Sequence, residues 1–248
     1  MHNAALAALG LDGVYVALRV APAAFADTFD ALARVGVAGN VTVPHKEAAE
    51  RCVTRKTELC ARAGACNTFW MEDGVPVGDN TDVGAIAAEL AELGFPEGRW
   101  LVVGTGGSAR AVALAAAQAK VDLLVRSRDA NRVQEFVRWA RSLGVRAHPA
   151  EPPVTADVVI NATPLGLAPD DPLPIDLGAL RDAPVALDLV YRPGGTRWVR
   201  ELRRGGLTVR DGRGVLVRQG ALAWRRFFPD QDPPVEIMRA AVDRALRG

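Results

Sequence analysis

The stretch Trp100–Arg110, WLVVGTGGSAR, decides the fold. An apolar run, Leu101-Val102-Val103, stops at Gly104-Thr105-Gly106-Gly107-Ser108, and good helix formers run from Ala109 to Lys120. That is strand, glycine turn, helix, and the turn reads G-x-G-x-x-A. The first glycine permits the tight turn, the second lets backbone approach a pyrophosphate, and Ala109 lets helix pack close to strand. The helix start then offers its free N–H groups and positive dipole end to phosphates. Glycine turns also end strands for structural reasons alone. Here a second strand, Val121–Val125, follows the helix and strengthens the dinucleotide reading.

The residues after that second strand bear on which dinucleotide. An NAD-selecting chain places Asp or Glu about 20 residues past the first glycine, to bond the ribose hydroxyls. This chain has Arg126-Ser127-Arg128-Asp129. Guanidiniums and a hydroxyl suit a 2′-phosphate and favour NADP. Asp129 repels that phosphate and keeps NAD open. The plain alternative makes all of these solvated turn charges.

Outward from this unit, the 248 residues are 49% hydrophobic with a formal net charge of +1, an ordinary globular chain large enough for two modest domains. The near-neutral balance argues against nucleic acid or an anionic membrane as the main partner. No apolar run reaches the roughly 20 residues of a membrane span, and no signal peptide is evident, so a cytoplasmic location is expected. Cys52, Cys60 and Cys66 lack metal-ligand spacing and read as buried thiols, with no metal expected.

Before the glycine turn, Met1–Leu9 reads as a helix and Gly13–Val20 as a strand with Val14, Val16, Leu18 and Val20 on one face. Phe25, Phe29 and Leu32 share a helix face that Gly36 ends. Asn40–Val43 is a short strand stopped by Pro44, and His45–Cys52 and Thr57–Ala63 look helical. Cys66–Met71 and Val75–Gly78 flank Asp73-Gly74, a hairpin signal. A helix, Val83–Leu93, leads to the second domain. There Asp157–Asn161 and Val185–Val190 are near-continuous apolar strands, as in a parallel sheet buried on both faces. Thr196–Arg204 is a helix, Leu207–Val209 a last strand, and Gly214–Phe228 and Pro234–Leu246 are closing helices. The fold class is α/β with two domains. An α/β substrate domain comprises 1–82 and the C-terminal helices 221–248; a Rossmann-type doubly wound parallel sheet comprises 83–220.

A nicotinamide enzyme acting on a ketone or alcohol also needs an acid–base group beside the reacting carbon. The first domain offers Asn40, Thr42, Lys46, Asn67 and Asp82 crowded at strand ends, where ligands bind in open α/β sheets. Lys46 with Asp82 would make a proton-handling pair. On spacing alone the plainer reading is favoured, with Lys46 an ordinary first-turn lysine and Asp82 a helix N-cap. His45, beside Lys46 on a helix start, points elsewhere, and His2 and His148 have no polar constellation.

Together NVTVPHKE (Asn40–Glu47), GACNT (Gly64–Thr68), GDNTD (Gly78–Asp82), GTGGSAR (Gly104–Arg110), NATPLG (Asn161–Gly166), DLVYRP (Asp188–Pro193) and DGRGVLVRQ (Asp211–Gln219) resemble the shikimate/quinate dehydrogenase family, in its order and through nearly the whole chain. The resemblance implies NADP-dependent reduction of 3-dehydroshikimate to shikimate, on the route to chorismate and the aromatic amino acids. By it, Lys46 is the acid–base group and Asp82 its partner. Thr42, Asn67 and Gln219 hold the polyol and Tyr191 lines its pocket. Gly104, Thr105, Gly106, Gly107 and Ser108, with Ser127, Arg128 and Arg132, carry the cofactor's phosphates. Thr163, Leu189 and Gly212 border the nicotinamide, and Glu58 reaches the cofactor from the first domain. The implied partner is the small-molecule substrate alone, the chain being monomer or homodimer.

Three departures from the family pattern matter. Ser127-Arg128-Asp129 replaces the usual Asn-Arg-Thr, exchanging a hydroxyl for a carboxylate. Cys66 replaces an apolar residue. The family's opening strand, which sits inside the first sheet, and its Ser-x-Ser motif, whose serines bond the substrate carboxylate, do not precede Met1-His2-Asn3. The expectation is a sequence short at its N-terminus, leaving Gly13–Val20 without a neighbour. Two other readings stand beside the main one: a quinate or aminoshikimate-type dehydrogenase using NAD or NADP, and a catalytically idle dinucleotide-binding paralogue.

Overall fold

The computed structural model describes residues 1–94, 97–181 and 183–247. Contacts divide the chain into two compact units, Met1–Asp82 with Leu216–Ala245, and Val83–Val215 with Leu246–Gly248. The return to the first unit thus comes at Leu216, ahead of the expected 221.

The first unit begins with α1 (His2–Ala8) and α2 (Phe25–Arg34). It continues through β1 (Gly39–Asn40), α3 (Lys46–Cys52), β2 (Arg55–Lys56), α4 (Glu58–Ala63), β3 (Thr68–Glu72) and β4 (Val75–Asp79) to α5 (Thr81–Glu92), which carries the chain onward. The sheet order is β1-β3-β4-β2. β1 and β4 run antiparallel to β3, the hairpin turning at Asp73-Gly74 where both residues have positive φ, and β2 runs parallel to β4. Phe25, Phe29, Val41, Val53, Cys60, Cys66 and Phe69 form its core beneath α2 and α3. The three thiols are unpaired.

The expected strand Gly13–Val20 is absent: residues 11–21 have no regular structure, and Val14, Val16 and Leu18 are 77%, 60% and 59% exposed. The alternation is real, but no strand lies alongside to pair its backbone. Instead, Tyr15 exchanges both of its main-chain bonds with the Asn3 side-chain amide, at 2.7 and 2.9 Å. Of the expected Asn40–Val43 strand only Asn40 lies in β1; Val41 N still donates to Asn67 O at 2.8 Å, and the chain then turns, with His45 N donating to Thr42 O at 2.9 Å.

The second unit is strand–helix alternation: β5 (Arg99–Val103), α6 (Gly107–Ala119), β6 (Asp122–Arg126), α7 (Ala130–Ser142), β7 (Arg146–Pro149), β8 (Val154–Thr155) and β9 (Val158–Asn161). β10 (Leu180–Arg181), β11 (Val185–Asp188), α8 (Arg197–Arg204) and β12 (Thr208–Arg210) complete it. Six strands form one parallel sheet in the order β12-β11-β9-β5-β6-β7, while β8 and β10 pair separately. The order reverses direction between β5 and β9, the switch point at which doubly wound sheets bind ligands. Leu101, Val103, Val159, Ala186, Trp198, Val199 and Leu202 pack one face. Burying each larger side chain contributes roughly 1.5–3 kcal/mol.

α9 (Arg213–Phe227) returns the chain to the first unit, where α10 (Val235–Ala245) packs against α1. His2 stacks parallel to Trp224 of α9, with ring centroids 6.2 Å apart.

Candidate active site

In the first unit, Lys46 opens α3 and Asp82 lies in the first turn of α5. The Lys46 Nζ donates to Asp82 Oδ2 at 2.6 Å, and each side chain is only 12% exposed. A carboxylate in a helix first turn is favoured by the dipole, yet this one turns to the ammonium, so the N-cap reading of Asp82 gives way to the ion pair. Such a sheltered pair is screened little by salt and loses much if one partner is removed.

Around it the polar groups hold one another. Asn67, 2% exposed, accepts at Oδ1 from Thr81 N at 2.8 Å and from the Thr68 and Thr81 hydroxyls at 3.2 Å each, and its Nδ2 donates to Thr81 Oγ1 at 3.0 Å. Asn40 Nδ2 donates to Thr68 Oγ1 at 2.9 Å. Thr42 is exposed on the turn between Asn40 and Lys46. Gln219 lies on α9, its Nε2 donating to Leu216 O at 2.9 Å. That helix is tied to β4 by Arg226, whose Nε and Nη2 each lie 3.0 Å from buried Asp79 Oδ2. Glu58 pairs with Arg62 one turn along its own helix. His45 points its Nε2 at Val20 O, 2.9 Å away, and stacks on Phe25, away from the ion pair.

In the second unit, the glycine turn is shaped by what side chains would obstruct. Gly104 has φ +119°, and a Cβ there would lie 2.9 Å from Ala162 O, at the end of the neighbouring β9. Its N–H donates to Arg126 O at 2.8 Å, so the turn sits between the carboxyl ends of β6 and β9. Gly106 caps α6 without a side-chain bond, and a Cβ there meets nothing within 4 Å. Thr105 is half-buried beside it, Gly107 and Ser108 form the first turn of α6, and Ala109 is fully buried against the sheet. Uncapped helix donors facing open space fit a phosphate.

After β6, Ser127 is half-buried and Arg128 exposed. Asp129 is the N-cap of α7: its Oδ1 accepts from Asn131 N at 2.9 Å and Arg132 N at 3.2 Å, and Oδ2 lies 3.8 Å from Arg132 Nε. Its charge is therefore turned onto the helix start and offset by Arg132.

At the ends of β9 and β11, Thr163 donates from both N and Oγ1 to Asn161 Oδ1, at 3.0 and 2.7 Å. Asn161 Nδ2 donates to Asp188 Oδ1 at 2.8 Å, and Asp188 also accepts from Val190 N and Thr196 Oγ1. Burial in the sheet pushes this carboxyl up to about 6, against the bonds from Thr196, Val190 and Asn161; nearby Asp211 pushes it further up, although Arg213 Nε pairs with Asp211 at 2.9 Å. Leu189 N donates to Asn161 O at 3.0 Å. A Cβ on Gly212 would strike Leu189 O and come within 3.2 Å of Tyr191 Cδ1, and Tyr191 itself is 38% exposed.

Residues 1–69 match the shikimate dehydrogenase substrate binding domain, and residues 212–242 the shikimate 5′-dehydrogenase C-terminal domain. The whole chain is 38% identical to the NADP(+) shikimate dehydrogenase of Symbiobacterium thermophilum, covering 90% of that protein. Over 98% of the chain it is 40% identical to that of Rubrobacter xylanophilus, covering 89% of it. Among solved structures, the Thermus thermophilus shikimate 5-dehydrogenase in complex with NADP(H) and shikimate superposes with a TM-score of 0.87, at 34% identity over 99% of this chain and 93% of that one.

The chain belongs to the shikimate dehydrogenase family.

Within this shikimate dehydrogenase fold, each unit brings its own share of the expected residues together. Lys46, Asp82 and Asn67 cluster in the first; Gly104–Ser108, Thr163 and Leu189 gather at the switch point of the second. Sequence reasoning missed four partners: Tyr15, Thr68, Asn161 and Asp188. The last two stand where buried apolar strands end in polar side chains, a signal that was legible; β-register sets Asp188 directly beside Asn161. The other two carry no local signal. Among the described residues there is no cluster of His, Cys, Asp and Glu able to hold a metal, and no helix long and apolar enough to cross a membrane.

Proposed function

We propose that this shikimate dehydrogenase family member interconverts 3-dehydroshikimate and shikimate with NADP, Lys46 and Asp82 handling the proton. The observation that carries the reading is the sheltered 2.6 Å contact between Lys46 Nζ and Asp82 Oδ2. NADPH, when bound, supplies the hydride to the ketone carbon. The Lys46 ammonium gives its proton to the ketone oxygen as that oxygen gains charge, and takes a proton from the hydroxyl in the reverse direction. Asp82 holds the ammonium in place. Thr42, Asn67 and Gln219 bond the substrate hydroxyls, Asn67 from a fixed amide, and Tyr191 forms pocket wall. On the cofactor, the open space at Gly106 and the uncapped α6 start take the pyrophosphate, Ser127, Arg128 and Arg132 take the 2′-phosphate, and Thr163, Leu189 and Gly212 border the nicotinamide. Glu58 is assigned to the cofactor by the resemblance alone.

The test is a spectrophotometric oxidation assay on this 248-residue chain, shikimate against quinate and NADP+ against NAD+. Turnover of shikimate with NADP+ supports the reading, and preference for quinate replaces its substrate. Lys46→Ala is expected to abolish turnover while NADP+ affinity persists. A wild type that binds NADP+ and turns over neither acid is the idle paralogue. The monomer-or-homodimer expectation is checked by light scattering.

A further inference from the structure

Tyr15 stands in the irregular segment 11–21, yet its position is tightly fixed. The Asn3 side chain clamps its backbone from both sides, and its ring packs on His2 with centroids 4.4 Å apart. Its hydroxyl donates to Asn40 Oδ1 at 2.9 Å. Burial pushes the phenol above its ordinary range, so it remains a donor at neutral pH.

The direction of this bond propagates. With Oδ1 occupied by Tyr15, the Asn40 amide presents Nδ2 to Thr68 Oγ1 at 2.9 Å and to Asn67 O at 3.4 Å. A hydroxyl that accepts from Asn40 has its single hydrogen to give elsewhere: Asn67 Oδ1 lies 3.2 Å away, and Thr81 Oγ1, at 3.3 Å, is itself bonded to the same Asn67 amide. Asn67 Oδ1 accepts from Thr81 N and Thr81 Oγ1 and, through this relay, from Thr68, while Nδ2 donates to a single protein acceptor among the described residues, Thr81 Oγ1. Its remaining Nδ2 hydrogen is what Asn67 has to offer a ligand. Without the Tyr15 hydroxyl only the long 3.4 Å bond to Asn67 O opposes reversal of the Asn40 amide, and a reversed amide would accept from Thr68 and draw that hydrogen off Asn67.

We propose that Tyr15 is a positioning residue for substrate binding: through Asn40 and Thr68 it fixes the Asn67 amide so that an N–H donor faces a substrate oxygen. This rests on the reading of Asn67 as a substrate-holding residue.

Tyr15→Phe keeps the ring against His2 and the backbone bonds to Asn3 while deleting the hydroxyl. The expected result is a rise in the KM for shikimate of about five- to tenfold, with kcat and NADP+ affinity unchanged. Thr68→Val, which breaks the relay one step later, gives a similar rise, and the double variant adds little to either. In the ligand-free protein, the side-chain amide resonances of both Asn40 and Asn67 shift in Tyr15→Phe. An unmoved KM, a loss shared equally by kcat and NADP+ affinity, or an unmoved Asn67 amide overturns the proposal. The spectrum is read without substrate. A wild type that turns over no shikimate therefore sinks the functional reading, while the amide measurement still decides whether Tyr15 orients Asn67.

Discussion

In the first unit, the side chains of the candidate site and its surroundings are held by other side chains: ammonium on carboxylate, amide on hydroxyl, arginine on aspartate. At Gly104–Gly107 in the second, the candidate phosphate site is backbone, defined by positions where a Cβ is forbidden or would enter open space. The first arrangement tolerates backbone irregularity nearby, as residues 11–21 show, because its geometry comes from cross-links. The second depends on strand ends meeting a helix start in one register. Substitutions should therefore fail differently in the two units, by lost chemistry in the first and by lost shape in the second.

The largest effect belongs to Lys46→Ala. It is expected to lower kcat by about 10³-fold with NADP+ binding preserved, measured by steady-state kinetics beside equilibrium titration. Cofactor binding that falls together with kcat would erase the contrast between the units. Gly104→Ala forces a side chain into a positive-φ position against Ala162 O, and a stability loss of about 2–4 kcal/mol is expected in urea unfolding. Gly106→Ala meets nothing in the protein and should leave the unfolding midpoint unmoved while NADP+ binds about tenfold more weakly; equal affinity would show that the space is not used.

Acid sharpens the same comparison, since each unit buries a group whose shift falls on the acid side of neutrality. Asp188 is raised from 3.8 to about 6, so the folded chain keeps a proton the unfolded chain releases, and stability from this group falls by up to about 3 kcal/mol as pH rises through that window. His2 is lowered from 6.5 to about 4, chiefly by burial, so here the unfolded chain takes up the proton first. Stability is lost as pH falls from 6.5 to about 4, also by up to about 3 kcal/mol. Asp188→Asn and His2→Phe should each remove one of these opposite slopes from the urea midpoint against pH; slopes of the same sign would refute the assignment. The smallest effect is expected from Asp129→Thr. It keeps a helix-capping oxygen and removes a carboxylate that already faces the α7 start, so the ratio of NADP+ to NAD+ affinity should rise only about three- to tenfold.

The two units also differed in how far the sequence revealed them. Strand β5, its turn and α6 are consecutive, so the strand–turn–helix unit of the fold was visible in a single stretch, which also carried the candidate phosphate site. The Gly13–Val20 alternation failed because alternation reports two faces of a chain, not a neighbour to pair with. Two-residue strands such as β2 and β8 are too short to carry a period. Lys46 and Asp82 stood out by their placement at strand ends, although spacing favoured a helix cap; their contact, between residues 36 apart, exists only once the sheet is built. Asn161 with Asp188, and Tyr15 with Asn40, are pairings of the same kind. The family motifs marked stretches of chain without giving the bonds inside them.

The first unit is discontinuous in the chain, with α1 resting on α10 and His2 on Trp224. A ribosome therefore translates the whole parallel sheet before it reaches the helices that cover α1. During that interval the second unit has every one of its strands available, while the apolar side of α1 stands in water or in the care of a chaperone. Assembly order is thus set by connectivity: the parallel sheet is free to form first, and the unit that holds Lys46 is completed only when α9 and α10 emerge.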